Sequence, residues 1–275
     1  MDLNILQDTP PWDWPRDAGK TFRKLLIDRG AAASDRLIAA ELAGDFTVIN
    51  DELADALLAM AGNAREPDDL RAKAAISLGP VLEWADMDEF DDPDDMRITE
   101  RTFRKIQDSL QKIYLDDGAP KELRRRILEA SVRSPEPWHQ EAIAEAYSTG
   151  DREWMLTAVF AMRWVRGFDH RILESLNSAD AEIHYEAVEA AGNWAMDAAW
   201  THVVKLVNDR DTPKPLLFAA IAAVGSIRPA EARETLTELA DSEDEEIAEA
   251  AGEAIAMAEG GSDEEDEEED EEVFP

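Results

Sequence analysis

The chain has 275 residues, 44% of them apolar, which is enough to bury a sizeable core, and a net charge of −35. That charge repels nucleic acid and anionic lipid, and so disfavours non-specific binding to either. The lack of cysteine removes disulfides, thiolate metal sites and Cys nucleophiles together, and no run approaches 18 apolar residues, so no membrane span is expected.

In chain order, MDLNILQDTPPWDWP lacks the basic and apolar regions of a secretory signal, and the expectation is a soluble cytoplasmic protein. Pro10, Pro11 and Pro15 predict an irregular arm over 1–16, with Trp12 and Trp14 folded back over the first helices. Helices are predicted over 17–29, 34–43 and 50–62, with Gly30, Gly44 and Gly62 as stops. A longer helical copy spans 68–85, followed by the acidic loop ADMDEFDDPDD, and then helices over 97–115 and 120–133. Paired helices follow: 137–148 with 151–166, 169–177 with 181–195, 197–208 with 213–227, and 229–240 with 244–259. Expected caps of second helices are Asp69, Asp151, Asp180, Thr212 before Pro213, and Asp244. No segment reads as a strand. From Gly260 onward a like-charge block predicts disorder: residues 263–272 are all Asp or Glu. The rest of the chain still carries −25, that is −35 less those ten.

Six segments repeat one pattern. Leu70, Leu123, Trp154, Ile183, Leu216 and Ile247 serve as anchors. Four residues later come Ala74, Ile127, Ala158, Ala187, Ala220 and Ala251; seven later come Ser77, Ala130, Ala161, Ala190, Ala223 and Ala254. An apolar anchor with small residues at +4 and +7 is one helix face, and small side chains let neighbouring helices approach closely. A unit of about 30 residues recurring in this way is the mark of a helical solenoid. The predicted class is all-α, an α–α superhelix: an arm and capping helix over 1–33, repeats over 34–259, and an acidic tail over 260–275.

DAEIHYEAVEAAGNW (180–194) and KPLLFAAIAAVGSI (214–227) share a glycine at +9, as does LRAKAAISLG with Gly79; Val132, Arg163 and Ala256 depart from it. These copies resemble HEAT repeats, specifically the short PBS-lyase-like bacterial type. A bacterial group of HEAT-repeat proteins is also similar in sharing the PPWDWP arm and GDFTVINDELADALL. The resemblance implies a protein-binding scaffold whose second helices line a concave surface. The alternative it suggests is a bilin-lyase-like enzyme or accessory factor.

No catalytic, cofactor or metal site is nominated, and the chain is read as a non-enzyme. GKT at Gly19–Thr21 has Trp14 where a phosphate-binding loop needs glycine. An EF-hand starting at Asp86 would meet Phe90, Asp91 and Arg97 at three required positions. His139, His170, His184 and His202 form no i, i+3 or i, i+4 pairs, and none is followed by Glu. Deoxyhypusine hydroxylase, a HEAT-repeat enzyme, uses His-Glu pairs at its di-iron site, so that activity is not implied. Trp138, Trp154, Trp194 and Trp200 are expected in the core.

Two surfaces are candidates. At +1 and +2, three successive copies hold Met155 and Leu156, His184 and Tyr185, and Leu217 and Phe218. They are either an apolar partner-binding strip or packing between repeats. Between Arg97 and Arg133 ten basic residues face six acidic ones. Arg97, Arg101, Arg104, Lys105 and Lys112, followed by Arg124 and Arg125, make either a solvated ion-paired face or, less in keeping with the net charge, a nucleic-acid contact. The acidic tail is expected either to visit this basic face, screened by salt, or only to keep the protein soluble.

Overall fold

The structure is a computed structural model that describes residues 3–87 and 96–260 in full and 261–271 by backbone alone. In chain order the first eight helices are α1 (Leu3–Gln7), α2 (Ala18–Ile27), α3 (Ala33–Leu42), α4 (Asp51–Ala61), α5 (Asp68–Ile76), α6 (Gly79–Met87), α7 (Glu100–Tyr114) and α8 (Lys121–Ser131). The remainder are α9 (Pro137–Ser148), α10 (Arg152–Ala161), α11 (Asp169–Ser175), α12 (Ala181–Asn193), α13 (Trp200–Asn208), α14 (Lys214–Ile227), α15 (Pro229–Ala240) and α16 (Glu245–Glu271). No strand occurs among the described residues. The chain divides into two compact units, 1–142 and 143–275.

In the first unit α2, α4 and α7 neighbour one another in one layer, and α3, α5 and α8 in a second, with the pairs α2/α3, α4/α5 and α7/α8 packed across. In the second unit α10, α12, α14 and α16 stack in succession, and α11, α13 and α15 each pack on the helix that follows. This two-layer stacking is an α–α solenoid. The small +4 residues Ala74, Ala158, Ala187, Ala220 and Ala251 are all fully buried, as are Ala130, Ala161 and Ala190 at +7.

The +9 glycine has a steric cause. A Cβ on Gly192 would lie 3.0 Å from Ala223 Cα, one on Gly225 3.1 Å from Ala254 O, and one on Gly79 3.3 Å from Ala130 Cα. In each case the +7 residue of the next second helix is among the nearest neighbours, so the +9 position is pressed against the small position of its successor; at Gly79 the Arg133 side chain is closer still, at 3.0 Å. Gly44 obeys the same rule more severely: its Cβ would sit 2.1 Å from Ser77 O. Gly44 therefore marks α3 as an earlier second helix, with Ala39 fully buried at +4. The anchor series alone misses it because Asp35 occupies the anchor place.

Several expectations need correction. Trp154, Leu216 and Ile247 are half-buried anchors, and Trp138, Trp194 and Trp200 are also half-buried. Trp194 donates its ring N–H to the Met162 carbonyl at 2.7 Å. The arm contains α1, whose Leu3 and Leu6 are buried; the prolines act only from residue 10 onward. Trp14 meets Phe22 edge-on at 5.5 Å, but Trp12 is 78% exposed. The copy at 68–85 is two helices, because Pro80 has no N–H to continue α5 and serves instead in the first turn of α6. Asp151, Asp180 and Asp244 accept from backbone N–H groups at their helix starts. At the other two second helices the cap positions are Pro67 and Pro213; Thr212 instead donates to the Leu206 carbonyl. Most of the acidic loop, 88–95, lies outside the described residues. The tail expected to be disordered over 260–275 instead continues α16 as helical backbone to Glu271, and 272–275 lie outside the described residues.

Candidate protein-docking surface

The six strip residues do not form one row. At +1, Leu217 is 8% exposed, Met155 is half-buried, and His184 on α12 meets His202 on α13. The +1 row therefore turns toward neighbouring helices. At +2, Leu156, Tyr185 and Phe218 are each half-buried on α10, α12 and α14. Since these helices stack in succession, the +2 residues line the second-helix face at corresponding places.

That face is mixed in character. Arg163 lies over Phe160 at 5.8 Å and over Trp164 at 5.9 Å, and pairs with Glu186 at 3.5 Å and with Glu189. Burial, followed by the Glu189 charge, pushes the Tyr185 phenol above its ordinary value. The middle of the row is thus a charged and aromatic cluster rather than a purely apolar rung. Towards α16 the surface becomes apolar: Phe218, Ile221 and Ala222 of α14 face Ala250, Ala254 and Met257 of α16 across a groove of about 870 Å3. The N-terminal part of α15 closes one side through Pro229, Ala230 and Arg233. Met257 is 76% exposed. Its contribution is invisible to the +1/+2 pattern, because it lies at +10 of the final copy.

The His184 and His202 Nε2 atoms are 2.8 Å apart, with ring centroids 5.0 Å apart. The nitrogens thus face each other almost along the line of centres, the geometry of a shared proton rather than a chelate. Burial lowers the basicity of both rings, helped at His202 by the His184 and Lys205 charges. No sequence spacing could have paired residues from separate helices. Among the described residues no three His, Asp or Glu side chains are grouped to hold a metal.

The basic region is largely neutralised within its own unit. Arg104 pairs with Glu100 at 2.6 Å and Lys105 with Asp55 at 2.7 Å, while Arg97 covers the Phe46 ring at 4.6 Å. Arg101 and Lys112 are exposed on α7. Arg124 is half-buried over Tyr114, and Arg125 is 5% exposed between Glu122 and Glu129. Arg125 is therefore enclosed and adds no exposed charge beside the α7 cations. The expected visit of the acidic tail to this face involves tail side chains that lie outside the described residues.

No helix among the described residues is long and apolar enough to cross a membrane. No curated protein matches the chain. Among solved structures, YibA of Escherichia coli is similar at 18% identity and TM-score 0.46, over 90% of this chain and 84% of that one. Human deoxyhypusine hydroxylase in complex with glycerol is similar at 17% identity and TM-score 0.40, over 94% and 96%. An engineered protein is similar at 15% identity and TM-score 0.43, over 89% and 79%. The family of HEAT repeats matches residues 168–256, the stretch in which α11 to α16 form successive pairs. This segment of the chain is an array of HEAT repeats.

Proposed function

We propose that the chain is a non-enzymatic scaffold that holds a protein partner on the second-helix face of the unit spanning 143–275. The observation that carries this is the half-exposed +2 row, Leu156, Tyr185 and Phe218, leading to the groove beside Met257. Stacked repeats create extended surface, and a row of half-buried aromatic and aliphatic side chains supplies the apolar anchors an interface needs. The charged cluster at Arg163, Glu186 and Glu189 sits within the row, where it fixes orientation rather than providing most of the affinity.

The test is affinity capture from the native cell extract with the wild-type chain and with Leu156→Glu and Phe218→Glu, each checked for unchanged circular dichroism. The scaffold reading expects a protein held by wild type and released by both variants. Retention of the same proteins by both variants, or of none by wild type, overturns it.

A further inference from the structure

We infer that the groove between α14, α15 and α16 receives a cationic amphipathic helix of the partner. This rests on the scaffold reading and names the chemistry of its ligand. The floor is apolar and low: Ala222, Ala250 and Ala254 lie between the larger Phe218, Ile221 and Met257. Small side chains let an incoming helix come close, and the unbranched Met257 thioether adapts to whatever packs on it. The walls are helices, so a helix laid into the groove, anchored at i, i+3 or i+4 and i+7, is the matching mode.

Charge selects the sign of that helix. Over 214–259 there are eleven acidic residues and three basic ones. All three cations are already engaged: Lys214 with Asp244 and Glu246, Arg228 with Asp197 and Glu231, and Arg233 with Glu259. Glu253 lines the groove as well, and the run of ten carboxylates begins four residues after Glu259 in the sequence. A second copy of this chain, at −35, would bring like charge to like charge. An acidic partner meets the same repulsion, whereas a basic one is steered in and then held by its apolar face.

The experiment uses the full chain and three labelled peptides of about 18 residues, long enough to form roughly five turns. One is a Leu/Lys amphipathic helix, one its scrambled isomer and one its Leu/Glu counterpart. Fluorescence anisotropy at about 50 mM salt should show the Leu/Lys helix binding at least about tenfold more tightly than either control, and weakening at high salt. Ala222→Arg, at an exposed position on the groove floor, should lower its affinity by about tenfold or more with the melting temperature unchanged. Deleting 263–272 should leave the preference for the amphipathic over the scrambled peptide. Equal binding of the scrambled peptide, no effect of Ala222→Arg, or equal binding of the Leu/Glu helix overturns the inference. A native partner released by Leu156→Glu but indifferent to Ala222→Arg would leave the scaffold standing and remove the groove assignment. A partner indifferent to Leu156→Glu and Phe218→Glu would remove the scaffold reading itself.

Discussion

Among the described residues, the unit spanning 1–142 buries Arg36, Arg71, Arg125, Glu129 and His139, whereas in the unit spanning 143–275 the only buried polar side chains are Thr157 and Ser175. Both units lay arginines over aromatic rings, but in the second these are not joined by buried charges: Arg166 lies over Trp194 at 4.2 Å, Arg171 over Tyr147 at 5.2 Å and Arg228 over Trp200 at 5.0 Å. A buried charge demands partners at fixed positions and tolerates little movement. An interface of small apolar residues demands only shape. The difference teaches that the first unit is held by specific buried polar contacts, while the second places its charged contacts nearer the surface.

Glycines break the comparison most sharply. Gly44→Ala in the first unit drives a Cβ to 2.1 Å from a backbone oxygen, which cannot yield as a flexible side chain would. A loss of about 3 kcal/mol or more, or failure to fold, is expected in urea unfolding. A near-neutral result would mean that α3 and α5 can separate freely. Arg36→Ala is next. Arg36 donates to Glu66 at 2.6 Å and to the Leu26 carbonyl at 3.1 Å and holds the Glu66 carboxyl below the ordinary range. Its removal leaves that carboxylate only the weaker contacts of Arg29 at 3.7 Å and Asn63 at 3.4 Å. About 3 kcal/mol should be lost at neutral pH, measured in the same way. The matching exposed pair in the second unit, Arg152 with Asp180, should show little change on Arg152→Ala.

Acid sharpens the contrast through His139. Its Nδ1 accepts from the Glu136 N–H at 2.8 Å, its Nε2–H points to Ser131 Oγ at 2.9 Å, and burial lowers its pKa from 6.5 to about 4. Because the folded value is depressed, the unfolded chain binds the proton first. The contribution of the neutral ring is complete above about 6.5 and drains away as the pH falls to about 4, by about 3 kcal/mol in all. Following the His139 ring by NMR should show it neutral at pH 5, and a midpoint near 6.5 would refute the buried placement.

The smallest effects belong to the second unit. Gly192→Ala must displace Ala223 by a few tenths of an ångström from a 3.0 Å contact, and should cost about 1–2 kcal/mol. Gly252→Ala meets nothing within 4 Å inside α16 and should stabilise by about 0.5–1 kcal/mol. Thermal melts that rank the two substitutions in the opposite order would put the wrong glycine at the helix contact.

The local pattern determined the all-helical class, the pairing rhythm and the small +4 and +7 positions, because these depend on helix periodicity and on how close two backbones can come. It also found α9 and α15 to the residue, since Pro137 and Pro229 each mark a start. Exposure was out of its reach. Leu156, Leu217 and Phe218 are equally apolar letters, yet Leu217 turns into the stack while the other two reach the surface, a difference set by which neighbour covers each helix face. The tertiary structure alone decided that Arg125 is enclosed while Arg101 is exposed, that His184 meets His202 across two helices, and that Met257 borders a groove with α14 and α15. Each of these joins residues from separate helices, and periodicity along one helix carries no information about what lies across from it.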